Sequence, residues 1–303
     1  MENKELLASA ILQTLSYFDY FKYPLNADEI HRFLEVPSTP VDIQNCLLEM
    51  MDEQKVSSDG TFYSLYGKTP LFERRKISNA LAMELIPRAK SVGRFLYRFP
   101  FVRFVGISGS LSKLYADEKT DFDFFIVTAP NRLWIARSFM HAFKKLSFLF
   151  NKQEHYCMNY YLDSDHLQLE DRNRYTSIEL STLIPVVNST LYKRLIRENF
   201  WLKENVPNFH LSQVVTDHRQ MMPVKFLSEF LINLFFPSRL NHLLMRITDI
   251  KWKRKWQRAG YPMEDYDLAF RTREYISKNH PKNYQKRVLT QMDKKRVNVF
   301  GIT

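Results

Sequence analysis

The sequence predicts an α/β fold: a mixed sheet flanked by helices, with a small helix-and-hairpin unit before it and a mainly helical region after it. Three observations carry this. Strand-like and helix-like runs alternate between residues 101 and 170, the pattern of an α/β sheet. Residues 5–65 read as three short helices and a hairpin. Beyond Tyr175 the apolar spacing is helical, over 189–204, 223–236, 239–258 and 281–296. A length of 303 residues suits two or three domains, placed at 1–68, 69–188 and 189–303.

In the first unit Leu7, Ile11, Leu15 and Phe18 recur at helical spacing. Asn26, with Glu29 at the third helical position, forms a capping box for a helix running to about Leu34. Thr39-Pro40 starts another helix, with Pro at the first helical position. Asp59-Gly60 between two short strand-like runs signals a hairpin. Three helices and a hairpin in this order resemble a winged-helix domain. Its third helix carries Asp42, Glu49, Asp52 and Glu53, which would face phosphates. DNA recognition by this unit is therefore not expected; packing or protein contact is.

In the second unit residues 70–98 read as helical, broken at Pro87. Phe101–Ile107 is a buried-strand candidate and Ser110–Ala116 a short helical turn. Asp121–Thr128 is a second strand, Asn131–Phe150 an amphipathic helix and His155–Leu162 a third strand. His166–Glu170 is read as a fourth.

The chemistry lies between the first two strands. Gly109-Ser110 ends one strand, and Asp121-Phe122-Asp123-Phe124 opens the next. Residues i and i+2 of a strand share a face, so Asp121 and Asp123 present two carboxylates together while Phe122 and Phe124 pack the other side. Adjacent carboxylates repel and are costly without a cation. Gly109 would let the backbone approach a phosphate, and Ser110 would sit at a helix N-terminus, where an anion is favoured. Lys113 either touches a phosphate or is merely solvated.

This order of strand, Gly-Ser, turn and Asp-x-Asp strand resembles the nucleotidyltransferase superfamily that includes DNA polymerase beta and the small bacterial nucleotidyltransferases. The resemblance covers about residues 100–165. It implies a nucleotidyltransferase-like α/β sheet, Mg²⁺ held by Asp121 and Asp123, and a nucleoside triphosphate against Gly109, Ser110 and Lys113. It also implies transfer of a nucleoside monophosphate to an acceptor, whether RNA, protein or a small molecule. Active members place a third carboxylate on a later strand, where this sequence has Asn159, which brings no negative charge. Asp163 and Asp165 are alternatives to Asn159, or belong to a turn. A degenerate nucleotide-binding or regulatory protein therefore stands beside the transferase reading.

The net charge of +11 conceals an asymmetry: residues 1–70 hold 5 basic and 11 acidic residues, and residues 71–303 hold 39 and 22. A positive field over the body favours anionic partners. The stretch Arg246–Arg258 interleaves Trp252 and Trp256 with basic residues. It reads as a helix whose tryptophans pack on the body, as a nucleic-acid-binding adaptor, or as a membrane-surface helix. Lys278–Arg296 reads the same way. The eight histidines are scattered, although His155 and His166 flank a strand near the site. Two cysteines, Cys46 and Cys157, argue against a disulfide scaffold and fit a reducing cytoplasm, with Cys157 as packing. Met1–Glu5 does not read as a signal peptide, and Phe226–Phe236 is too short and polar to span a bilayer.

Overall fold

The computed structural model describes residues 2–147, 156–211, 222–235 and 238–300. The first helix, α1 (Glu2–Asp19), is followed by α2 (Ala27–Phe33) and α3 (Pro40–Asp52), then by the antiparallel hairpin β1 (Val56–Ser58) and β2 (Tyr63–Leu65). The capping box predicted at Asn26 forms: its side chain accepts from the Glu29 backbone N–H at 2.8 Å, and Glu29 Oε2 accepts from the Asn26 N–H at 3.0 Å. Thr39 and Asp42 cap α3 in the same reciprocal way. Leu25, between α1 and α2, bridges to Tyr63 and so fastens the hairpin to the helices.

Next comes α4 (Pro70–Leu96), a single helix of 27 residues that runs through Pro87. The break expected there does not occur. Proline removes one backbone donor and crowds the preceding turn, but Pro87 is exposed while Ala82, Ala89 and Gly93 are buried on either side. Packing on both flanks holds the helix across the defect. Gly93 makes this contact close: a Cβ there would lie 3.1 Å from Val186 and 3.3 Å from Phe124.

The central sheet uses β3 (Val102–Ile107), β4 (Asp123–Thr128), β5 (Cys157–Asp163), β6 (Ile184–Val187), β7 (Thr272–Arg273) and β8 (Ile276–Lys278) in the order β6-β3-β4-β5-β8-β7. Only β4 and β5 pair in parallel. Three of these strands were not read from the sequence. Pro185 interrupts the strand signal of β6, and it is tolerated because β6 is an edge. The strands β7 and β8 are too short to show periodicity. The segment His166–Glu170 is not a strand, although Leu167 and Leu169 are buried.

Helices cover both faces. On one, α4 and α5 (Leu133–Ser147) bury Val105, Phe124, Ile126 and Trp134. The end expected for α5, residues 148–150, lies outside the described residues, as does His155. On the other face α6 (Arg174–Thr182), α7 (Ser189–Glu198) and the N-terminal helices bury Phe104, Phe125 and Val127 in one continuous core, which also takes in Val288 of α11 (Tyr284–Phe300). Phe124 and Phe125 thus face opposite layers, as strand alternation requires. The remaining helices are α8 (Pro223–Phe235), α9 (Ser238–Arg258) and the short α10 (Tyr266–Ala269); residue 236, the expected end of α8, is also outside the described residues. No described helix is long and apolar enough to cross a membrane.

Candidate active site

The antiparallel register of β3 and β4 brings the end of one strand beside the start of the other. Ile107 pairs with Phe124, and the Ser108 N–H donates to the Asp123 carbonyl at 2.9 Å. Gly109 follows with φ +70°, and a Cβ there would lie 2.4 Å from Asp123 Oδ2. Glycine is thus required twice, for a left-handed backbone and for contact with the carboxyl.

Asp123 begins β4 on the same side as Phe125, facing the layer of α6, and Asp121 lies just before the strand, exposed. Asn159 Nδ2 donates to Asp123 Oδ1 at 2.8 Å. Burial, then the charge of Asp121, pushes the Asp123 carboxyl up to about 6. Part of the residue's surface remains open to solvent, but its carboxyl is crowded by Gly109, Asn159 and Cys157. Hydrogen bonding lowers its pKa too little to cancel these two causes.

Ser110 is exposed and precedes a 3-10 turn of three residues, Leu111–Lys113, ended by left-handed Leu114. The helix N-terminus expected there is a single turn, too short for an appreciable dipole. Ser110 makes no side-chain cap; Ser112 Oγ instead donates to the Gly109 carbonyl at 2.8 Å. Lys113 is neither solvated nor turned outward. Its Nζ donates to the Gly109 carbonyl at 3.0 Å and pairs with Glu179 of α6 at 2.8 Å.

Glu179 was not singled out in the sequence, having no motif spacing to Asp123. It faces the buried phenol of Tyr175, whose pKa is raised first by burial, then by Glu179. Arg75 of α4 braces the turn from behind: fully buried, it donates to the carbonyls of Pro24 (3.1 Å) and Leu114 (2.9 Å) and to Glu29 Oε1 (2.7 Å). Tyr23 donates to the Lys113 carbonyl. The acidic N-terminal unit is therefore tied to the Gly109–Leu114 turn through buried polar contacts.

Asp163 and Asp165 do not reach this end. In the parallel pairing Asp123 faces Cys157 while Thr128 faces Asp163, about 17 Å further along the strands. Asp163 instead accepts from the N–H groups of Asn131 (2.6 Å) and Asp165 (2.8 Å), a turn role. His166 stacks on Tyr275 there. Cys157 does approach the site: its Sγ accepts from Asn159 Nδ2 at 3.2 Å, and burial followed by the Asp123 charge pushes its thiol up to about 11, away from a reactive thiolate.

The donor set near Asp123 is two carboxylates and an amide. Among the described residues no group of three or more His, Cys, Asp or Glu is placed to hold a metal ion. The pair itself suits a hard divalent cation that keeps open positions for phosphate oxygens.

The basic C-terminal stretches lie elsewhere. Trp252 and Trp256 pack on Phe270, with ring centroids at 6.2 and 4.6 Å, while Arg246, Lys251, Lys253, Arg254, Lys255 and Arg258 stay exposed. Lys278, the first residue of the second basic stretch, is buried and pairs with Asp171 at 2.8 Å; the side chain of Arg296 lies outside the described residues. No protein-family model, curated protein or solved structure matches this chain.

Proposed function

We propose that this end of the sheet binds a nucleoside triphosphate with Mg²⁺ and that the chain is a nucleotidyltransferase. The observation that carries the reading is the Asp123 carboxyl, pushed up to about 6 beside Asp121 and under a turn stripped of its Cβ. Two hard carboxylates near one another fit Mg²⁺, which Asp121 and Asp123 would hold. When bound, Mg²⁺ supplies neutralisation of phosphate charge.

The chain's own residues do the rest. Gly109 lets the turn close directly onto the Asp123 carboxyl. Asn159 fixes the rotamer of Asp123 by donating to Oδ1. Lys113, held by Glu179, keeps positive charge beside the turn. In the reaction an acceptor oxygen bonds to the α-phosphorus, the bond from that phosphorus to the bridging oxygen breaks, and pyrophosphate leaves. Positioning and charge neutralisation are the main demands of such a transfer.

A second reading, nucleotide binding without turnover, is favoured by Asn159. Its amide donates to Asp123 and offers no base for an acceptor hydroxyl. Pyrophosphate release, measured with Mg²⁺ and each NTP in the presence of RNA, protein or small-molecule acceptors, separates the two. A thermal shift without release selects the binding reading. Neither shift nor release removes both. Asp121→Asn with Asp123→Asn should abolish the shift.

A further inference from the structure

The helix α8 is built inside out. Its inner side carries the charges. Lys225 Nζ donates to the Tyr97 and Val102 carbonyls, both at 2.6 Å. Glu229 accepts from Arg103 through two bonds of 2.7 Å and from the Phe101 N–H at 2.7 Å. Its outer side is apolar: Phe226 (64 % exposed), Phe230 (63 %) and Leu234 (65 %) stand out with Val224, Leu227, Leu231 and Phe235. Water-facing helices ordinarily show the reverse, and a contiguous apolar surface of this kind marks an interaction site.

The neighbouring α9 adds charge. It holds seven basic residues and one acid, Asp249, which is paired with Lys253 at 2.8 Å. Its inner residues Leu240 and Leu244 share one small cluster with Ile232 of α8 around Phe101 and Ile135. The two helices therefore lie on the same side of the molecule. Alongside those residues, on the flank that stays in solvent, α9 presents exposed Leu243, Ile247 and Ile250, with Arg246, Lys251 and Arg254 exposed among them.

We infer that the outer faces of α8 and α9 form a peripheral docking surface for an anionic lipid bilayer. Large apolar side chains bordered by Lys and Arg are the composition of a helix lying in the headgroup boundary, and anionic lipid attracts the basic border. A second copy of the chain is a poorer occupant, because pairing this surface with itself sets basic α9 against basic α9. With 13 residues, α8 lies on the membrane rather than through it. The polar latch of Lys225 and Glu229 is what leaves the apolar side outward.

Co-sedimentation of the full chain with phosphatidylcholine vesicles, with and without phosphatidylglycerol, tests this. Binding should require phosphatidylglycerol. Phe230→Glu with Leu234→Glu should abolish it with no change in thermal midpoint, since both residues face solvent. Arg246→Gln, Lys251→Gln and Arg254→Gln together should weaken partitioning on the order of a hundredfold. No binding to the anionic vesicles, or binding that survives Phe230→Glu with Leu234→Glu, overturns the inference. So does a dimer formed without vesicles that those two changes dissolve, or a preference for single-stranded RNA over the vesicles.

Discussion

Asp123 and Glu229 are both carboxylates set into the protein, and their surroundings treat them in opposite ways. Glu229 meets a guanidinium in a two-bond pair and a backbone N–H, which together hold its carboxyl below its usual range despite burial. Asp123 meets a neutral amide and a second carboxylate, and is pushed up to about 6. The difference separates a carboxylate fixed by its partners from one raised by its surroundings. A carboxylate that needs to be ionised for the fold is given a fixed cation. A carboxylate raised by burial and a like charge, with Lys113 nearby but paired to Glu179, is one that added positive charge would stabilise, as the proposed metal–nucleotide site requires.

The comparison breaks most visibly at the fixed pair. Glu229→Ala leaves Arg103 without its carboxylate, and should cost about 3 kcal/mol, the lower end for a broken buried pair because Arg103 is partly in water. Chemical denaturation measures it, and nucleotide binding should be unaffected.

The next largest effect is at the turn. Gly109→Ala puts a Cβ 2.4 Å from Asp123 Oδ2 at a φ of +70°, and should destabilise the fold by about 2 kcal/mol. Unlike the change at Glu229, it should also weaken nucleotide binding, because the turn has to move off Asp123.

The two carboxylates also give opposite pH dependence. The Asp123 pKa is raised in the folded state, so its contribution is intact in acid and is lost as pH rises from the unfolded carboxylate range through about 6. The Glu229 pKa is lowered, so its contribution is intact at neutral pH and is lost as pH falls below the ordinary glutamate value. Asp123→Asn should therefore stabilise the metal-free protein at neutral pH by about 2 kcal/mol and remove the falling limb, seen as the change in denaturation midpoint between mildly acidic and neutral buffer.

The smallest effect sharpens the site itself. Asn159→Asp replaces a donor by a third carboxylate against Asp123. It should lower metal-free stability by about 1 kcal/mol through like-charge repulsion, with Mg²⁺ restoring the loss. Thermal melting with and without Mg²⁺ reads both parts.

How much of this was legible differs between the two places. The order of the Gly109–Asp123 end was readable because it is local, a turn glycine followed by a strand that opens on a carboxylate, but Asp121 falls just before β4 and the space beside Gly109 is taken by Asp123. The caps at Asn26 and Thr39 were readable for the same reason. Glu179 and Arg75 were not, since each reaches the turn from a distant helix and neither stands in a pattern that announces its partner. Pro87 misled because tertiary packing outweighed a local rule, and β6 was hidden because its proline is acceptable only at an edge that topology creates. The polarity of α8 was visible as Lys225 and Glu229 within an apolar run, but which side faced inward was decided by Arg103 and the carbonyls of Tyr97 and Val102.

The proposed place for a metal–nucleotide is Asp123, with Asp121, at the start of β4. Calorimetric titration of the wild-type chain and of Asp123→Asn with each NTP, with and without Mg²⁺ and on both sides of pH about 6, tests it most directly. The wild type should show Mg²⁺-dependent binding that weakens as pH falls through about 6, with proton release on binding and none of this in Asp123→Asn. Binding of equal strength in Asp123→Asn, or no binding of any NTP to the wild type at neutral pH, would contradict it.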